Sequence, residues 1–134
     1  MTSTETDVLS WLCATIRALQ YDVYTDPAPV GSVWPLVGIR NIGGKHTYSL
    51  QGASGFRIDD HFIQIGVYDN RRAPAGILAI MAAVATALED SFNVTQGTSI
   101  VMKCDRKTTI GPMWLDHDNY WKMTVDWLIQ ARTL

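Results

Sequence analysis

Near its C-terminal end, over twelve residues, the chain alternates strictly between two kinds of residue. Trp121, Met123, Val125, Trp127, Ile129 and Ala131 interleave with Tyr120, Lys122, Thr124, Asp126, Leu128 and Gln130. Period two held over this length describes a strand; a helix would scatter the same six apolar residues around its circumference. Extended, the run measures ~40 Å. A strand with one wholly apolar face needs partners at its edges and a layer of structure over that face. Whatever else the chain does, it builds a sheet and covers one side of it.

Two segments are candidates for the cover. Near the start, Thr4-x-x-Asp7 reads as a capping pair, with acids in the first turn to meet the positive helix end. Val8, Leu12, Ile16 and Leu19 follow at four-, four- and three-residue steps, widened by Leu9 and Trp11. The spacing predicts a helix over residues 4–20. A second is predicted over residues 74–92. Pro74 suits a first turn, and Ile77, Ile80, Met81, Val84, Leu88 and Phe92 repeat with helical period among alanines.

Between the helices, Val23-Tyr24 leads into Thr25-Asp26-Pro27-Ala28-Pro29, which forbids helix and favours a stiff extended connection. Residues 35–42 read as a strand. Residues 43–55 have glycines at both ends and no period, and read as a long loop of the kind that carries function. Residues 56–68 form a strand, with Ile63, Ile65 and Val67 on one face and Phe62, Gln64, Gly66 and Tyr68 on the other. Two more strands are expected at 98–104 and 107–115, the latter interrupted by Gly111-Pro112, and then the alternating strand. No internal repeat or linker divides the chain, so residues 1–134 are expected to form a single domain. The expected fold is α+β: an antiparallel or mixed sheet with two amphipathic helices packed on it, closing in a three-stranded meander.

At 134 residues, 47% hydrophobic and 18% charged, the chain is long enough for one core and too apolar to stay disordered. The shortage of charge fits a protein that hides surface against a partner. A net charge of −2 excludes strong electrostatic grip on nucleic acid. No run of ~18 apolar residues is present to span a membrane. Cys13 and Cys104 are too few for a disulfide scaffold, and neither has a second thiol at metal-ligand spacing.

Catalytic patterns are missing. Asp116-His117-Asp118 offers ligand types but reads better as a polar turn. Gly43-Gly44-Lys45 lacks the spacing, ending and helix of a phosphate-binding loop. No serine sits in a nucleophile motif, and His61 with Asp59 is the one seed of a polar site. No catalytic residue, metal or cofactor is expected.

The layout of the whole chain resembles the tail-terminator, or tail-completion, proteins of long-tailed bacteriophages and gene-transfer agents. The resemblance lies in the N-terminal helix, Val23-Tyr24-Thr25-Asp26-Pro27-Ala28-Pro29, and the Trp34-Pro35-Leu36-Val37-Gly38 strand. It continues through a polar loop, the strand ending Val67-Tyr68-Asp69, the alanine-rich helix ending Ala87-Leu88, and the aromatic-rich close from Trp121 to Arg132. The tryptophan content of that last strand and the glycine-rich residues 43–55 depart from the pattern. The resemblance implies a structural virion protein, assembled in the host cytoplasm. It would form a ring, typically a hexamer, that caps the tail tube, ends its polymerisation and presents a surface to the head–tail connector. DNA would pass through the lumen without sequence-specific binding. The implied partners are further copies of the chain, the tail-tube protein and the connector.

Two alternatives stand beside this reading: a head-side neck or stopper protein, and, more distantly, a small enzyme or ligand-binding domain. Lys45, His46, Tyr48 and Gln51 of the polar loop are candidates for contact with the tube. Arg71-Arg72 and Asp59-Asp60 are candidates for the two sides of a charged seam between subunits.

Overall fold

A computed structural model describes residues 4–25, 34–48, 57–70, 74–115 and 119–133. They form helices α1 (Glu5–Ala18) and α2 (Ala75–Glu89) and strands β1 (Asp22–Thr25), β2 (Leu36–Tyr48), β3 (Arg57–Asp69), β4 (Val94–Gln96), β5 (Ser99–Leu115) and β6 (Tyr120–Thr133). The strands join in one sheet of order β1-β2-β3-β6-β5-β4. β1 runs parallel to β2, and every other pairing is antiparallel, so the sheet is mixed. The expected α+β class holds, with β4, β5 and β6 as the closing meander.

The alternation at the C-terminus does what its pattern demands. Val125, Trp127, Ile129 and Ala131 are buried, in register with Ile65, Ile63, His61 and Asp59 of β3. Val8, Trp11, Leu12 and Ile16 of α1 and Ile77, Met81, Val84 and Leu88 of α2 share one core with that face. Both helices therefore cover the same side. No described element covers the other side, which carries Phe62, Gln64, Gly66 and Tyr68 of β3 beside Leu128, Asp126, Thr124 and Lys122 of β6.

Residues 43–55 are not a loop throughout. A bulge between Asn41 and Gly43 shifts the register, and β2 then continues through Lys45, His46 and Tyr48, paired with Asp60, Asp59 and Arg57. The strand was hidden because its sequence beyond the bulge has no apolar alternation: Gly44, Lys45, His46 and Thr47 pair with His61, Asp60, Asp59 and Ile58. The two strands expected at 98–104 and 107–115 are one 17-residue strand, β5. Three bulges, between Val101 and Lys103, Arg106 and Thr108, and Ile110 and Met113, absorb the breaks in its alternation. Gly111 sits in the third bulge at φ +98, where a Cβ would meet the Lys122 carbonyl oxygen at 2.7 Å. The third strand of the meander is instead the short β4. Val23-Tyr24, assigned to no element from the sequence, belongs to a strand and pairs with Val37-Gly38.

The polar segment Asp26-Pro27-Ala28-Pro29, the Arg71-Arg72 turn and Asp116-His117-Asp118 lie outside the described residues.

Candidate interaction surfaces and a buried polar cluster

Asp59 and His61 are two residues apart on β3, so they share the face that carries Ile63, Ile65 and Val67. That places an acid and an imidazole in the core layer, under the start of α1. Thr4, the residue before α1, is buried between them. Its Oγ1 lies 2.7 Å from Asp59 Oδ2 and 2.7 Å from His61 Nε2, and its backbone N–H reaches Asp59 Oδ2 at 3.3 Å. The Thr4 hydroxyl donates to Asp59 and shares a second hydrogen bond with the His61 ring. The cluster ties the N-terminus of α1 to β3 through charge-assisted hydrogen bonds.

A second tie lies one turn further on. Asp7 Oδ2 accepts from the Ser99 hydroxyl at 2.6 Å and from the Thr98 backbone N–H at 3.3 Å. α1 is thus pinned at its first turn both to β3 and to the turn before β5.

The expected seam acids are engaged inside the protomer. Asp59 is 1% and Asp60 6% exposed. Asp60 faces the side opposite the helices, where Gln130 Nε2 donates to it at 2.9 Å and Lys45 Nζ stands 3.8 Å away. Lys45, His46 and Tyr48 lie together on the far half of β2, and Lys45 is well exposed. The side chains of His46 and Tyr48, and the whole of Gln51, lie outside the described residues.

On the side away from the helices, aromatic rings gather at the β2 start and β6 start. Trp34 and Tyr120 stand 5.3 Å apart, Tyr68 and Tyr120 meet edge-on at 5.8 Å, and Lys122 sits over the Tyr68 ring. Tyr68 lies down along the sheet: a Cβ on Gly66 would come 2.7 Å from its hydroxyl. On the helix side, Trp114 and Trp121 meet edge-on at 5.6 Å, and Arg106 pairs with Glu89 at the end of α2 and stands over Trp127.

The Cys104 thiol is not set up for chemistry. Burial, and then the Asp105 charge, push Cys104 up to about 12, the opposite of a thiolate site. Among the described residues no three His, Cys, Asp or Glu side chains converge as a metal site, and no helix is long and apolar enough to cross a membrane.

Sequence reasoning named Asp59 with His61 but missed Thr4 as their partner. The signal was present: Asp59 and His61 continue the alternation of Ile63, Ile65 and Val67, which assigns them to the core face. What sequence could not supply was the third group, 55 residues away.

The molecule so described is a two-helix, mixed-sheet α+β protein. The sequence profile of the family described as tail completion protein gp17 matches residues 6–108, and the chain belongs to that family, whose members are virion proteins. A chain from the virion of a native gene transfer agent particle has the same fold, with a TM-score of 0.53 at 16% identity over 91% of this chain and 83% of that one. No curated protein matches the chain in sequence.

Proposed function

We propose that the chain is a tail terminator. In this reading six copies close into a ring on the end of the finished tail tube. The ring stops polymerisation and offers its other face to the head–tail connector, and DNA passes through the lumen. Membership of the tail-completion family over residues 6–108 carries the proposal. The fold shared with a chain of a gene transfer agent virion supports it.

The physical character of the chain agrees. A net charge of −2 does not favour retaining DNA that has to pass. In this reading the buried Thr4–Asp59–His61 cluster serves the fold by holding α1 to β3, and the protein acts by binding. The far end of the β2–β3 hairpin, with Lys45, His46, Tyr48 and Gln51, is the proposed contact with the tube. Burial of Asp59 and Asp60 speaks against an open ion-pair seam with Arg71-Arg72, because burying a charge pair gains little over leaving each charge where it is already satisfied.

Pull-down with purified tail tubes and with portal–connector complexes separates this reading from the head-side one. A terminator is retained by tubes and shortens tails in assembly extracts. Retention by the connector alone, with tail length unchanged, assigns the protein to the neck.

A further inference from the structure

In the sequence the apolar stripe of α2 runs from Ile77 through Leu88 to Phe92, but the helix ends at Glu89 and Phe92 is left outside the core. It is 66% exposed; the next most exposed large apolar residue among those described, Ile42, is 48% exposed. The backbone on either side of Phe92 is held. Ser91 donates its N–H to the Leu88 carbonyl and its hydroxyl to the Ala87 carbonyl, and Asn93, at φ +51, donates its N–H to the Met102 carbonyl of β5. The ring is therefore presented on a fixed turn. A recess lies on α1. Leu9, Cys13, Ala14 and Arg17, with Thr25 at the end of β1, line a mostly apolar groove of about 370 Å³. A cavity of about 150 Å³ already holds benzene, so this groove has room for a phenyl ring.

We infer that Phe92 of one copy docks in the α1–β1 groove of the next, with Asp90 of the first beside Arg17 of the second. The inference rests on the ring proposed above. A ring is built from head-to-tail contacts, which need two different patches on each subunit. These two belong to opposite edges of the sheet: Phe92 leads into β4, the last strand of the order, and the groove is walled by the end of β1, the first. Within a protomer α1 stands between them. Asp7 ties one flank of the helix to Thr98 and Ser99, beside β4, while Leu9, two residues on, lines the groove from the opposite flank. Charge selects the occupant. Arg17 and Asp90 are exposed, and neither has an ion-pair partner among the described residues of its own chain. Glu89, the acid next to Asp90, is already taken by Arg106. An aromatic ring two residues from a free acid fits, in size and in sign, an apolar groove that holds a free arginine. The buried ring carries the affinity, and the ion pair at the rim sets the register.

Light scattering of point variants over a range of concentrations tests the seam. Phe92→Ala removes an exposed ring, so it is expected to keep the parent melting temperature and to weaken self-association at least ~10-fold. Arg17→Glu and Asp90→Lys are each expected to weaken association, and the double variant to associate more tightly than either. Cys13 reports on the groove itself. Its alkylation by a maleimide, counted by mass spectrometry, is expected to be fast in the dilute chain and slow when the parent sits on tail tubes, and to stay fast in Phe92→Ala. Folded Phe92→Ala protein that associates as tightly as the parent, in rings of the parent mass, overturns the inference and leaves the ring standing. A double charge variant no tighter than the single ones also overturns it. Slow alkylation of Cys13 on tubes in Phe92→Ala means that the tube protein, not a second copy, fills the groove, and this too overturns it. A parent chain that stays monomeric even on tubes removes the ring and the seam together.

Discussion

The Thr4 hydroxyl is one oxygen, yet it satisfies a buried acid and a buried imidazole at once. Thr4→Val keeps the shape and removes one partner from each of Asp59 and His61. The expected cost is about 1–3 kcal/mol, read as a lower denaturant midpoint with unchanged slope. A midpoint equal to that of the parent would mean that the cluster does not hold α1 in place. Trp127 is fully buried, and its indole N–H has no acceptor. Trp127→Lys places an unpaired charge there, at a cost of several kcal/mol, enough to prevent folding. Soluble Trp127→Lys protein with the parent melting temperature would mean that the faces of β6 are assigned backwards. At Cys104 the folded chain keeps its proton up to about 12, whereas an unfolded thiol loses it nearer 9.0. Across that window the native state binds more protons, so this group makes stability fall as pH rises. Below it the thiol stays neutral and buried. A maleimide at pH 8 is therefore expected to label Cys13 rapidly and Cys104 only on unfolding, as counted by mass spectrometry. Equal labelling rates in the native protein would contradict the burial of Cys104.

Elements differ in how plainly they were written. β6 and the two helices were legible because each has one apolar face of the right period, set against a core that reads the same period. β2 beyond Asn41 was not, because Gly44, Lys45, His46 and Thr47 carry no aliphatic alternation and the β3 partners Asp59, Asp60 and His61 are polar. β5 was split in two on paper because each bulge adds a residue that resets the alternation, and Lys103, Asp105, Arg106 and Lys107 fall among them. β1 was hidden by its length of four residues. Lys45, His46 and Tyr48, proposed above to contact the tube, share one strand end in a paired hairpin and not in a loop. That sets the form of the test. Deleting Lys45 onward would break pairing with β3, so residues 49–56 are better replaced by an Asn-Gly turn, which suits a tight hairpin. The replacement is expected to fold with the parent circular dichroism and melting temperature, and to lose retention on tail tubes. Full retention would move the tube contact away from this hairpin.

For the whole molecule, the same economy runs through fold and proposed role. The two helices and one face of the sheet bury each other, which leaves the second sheet face, a mixture of polar and aromatic side chains, and the outer side of α2 uncovered by any described element. In the proposed ring, these surfaces are left for neighbouring copies and for the tail tube. The measurement that tests this most directly is light scattering after gel filtration, taken on the free chain over a range of concentrations and again on chain released from tail tubes. Six 14.9 kDa chains give a particle of about 89 kDa, and that mass, with ring-shaped particles in negative stain, is the expected result. A 14.9 kDa species at every concentration, and no uptake by tubes, would contradict the terminator reading.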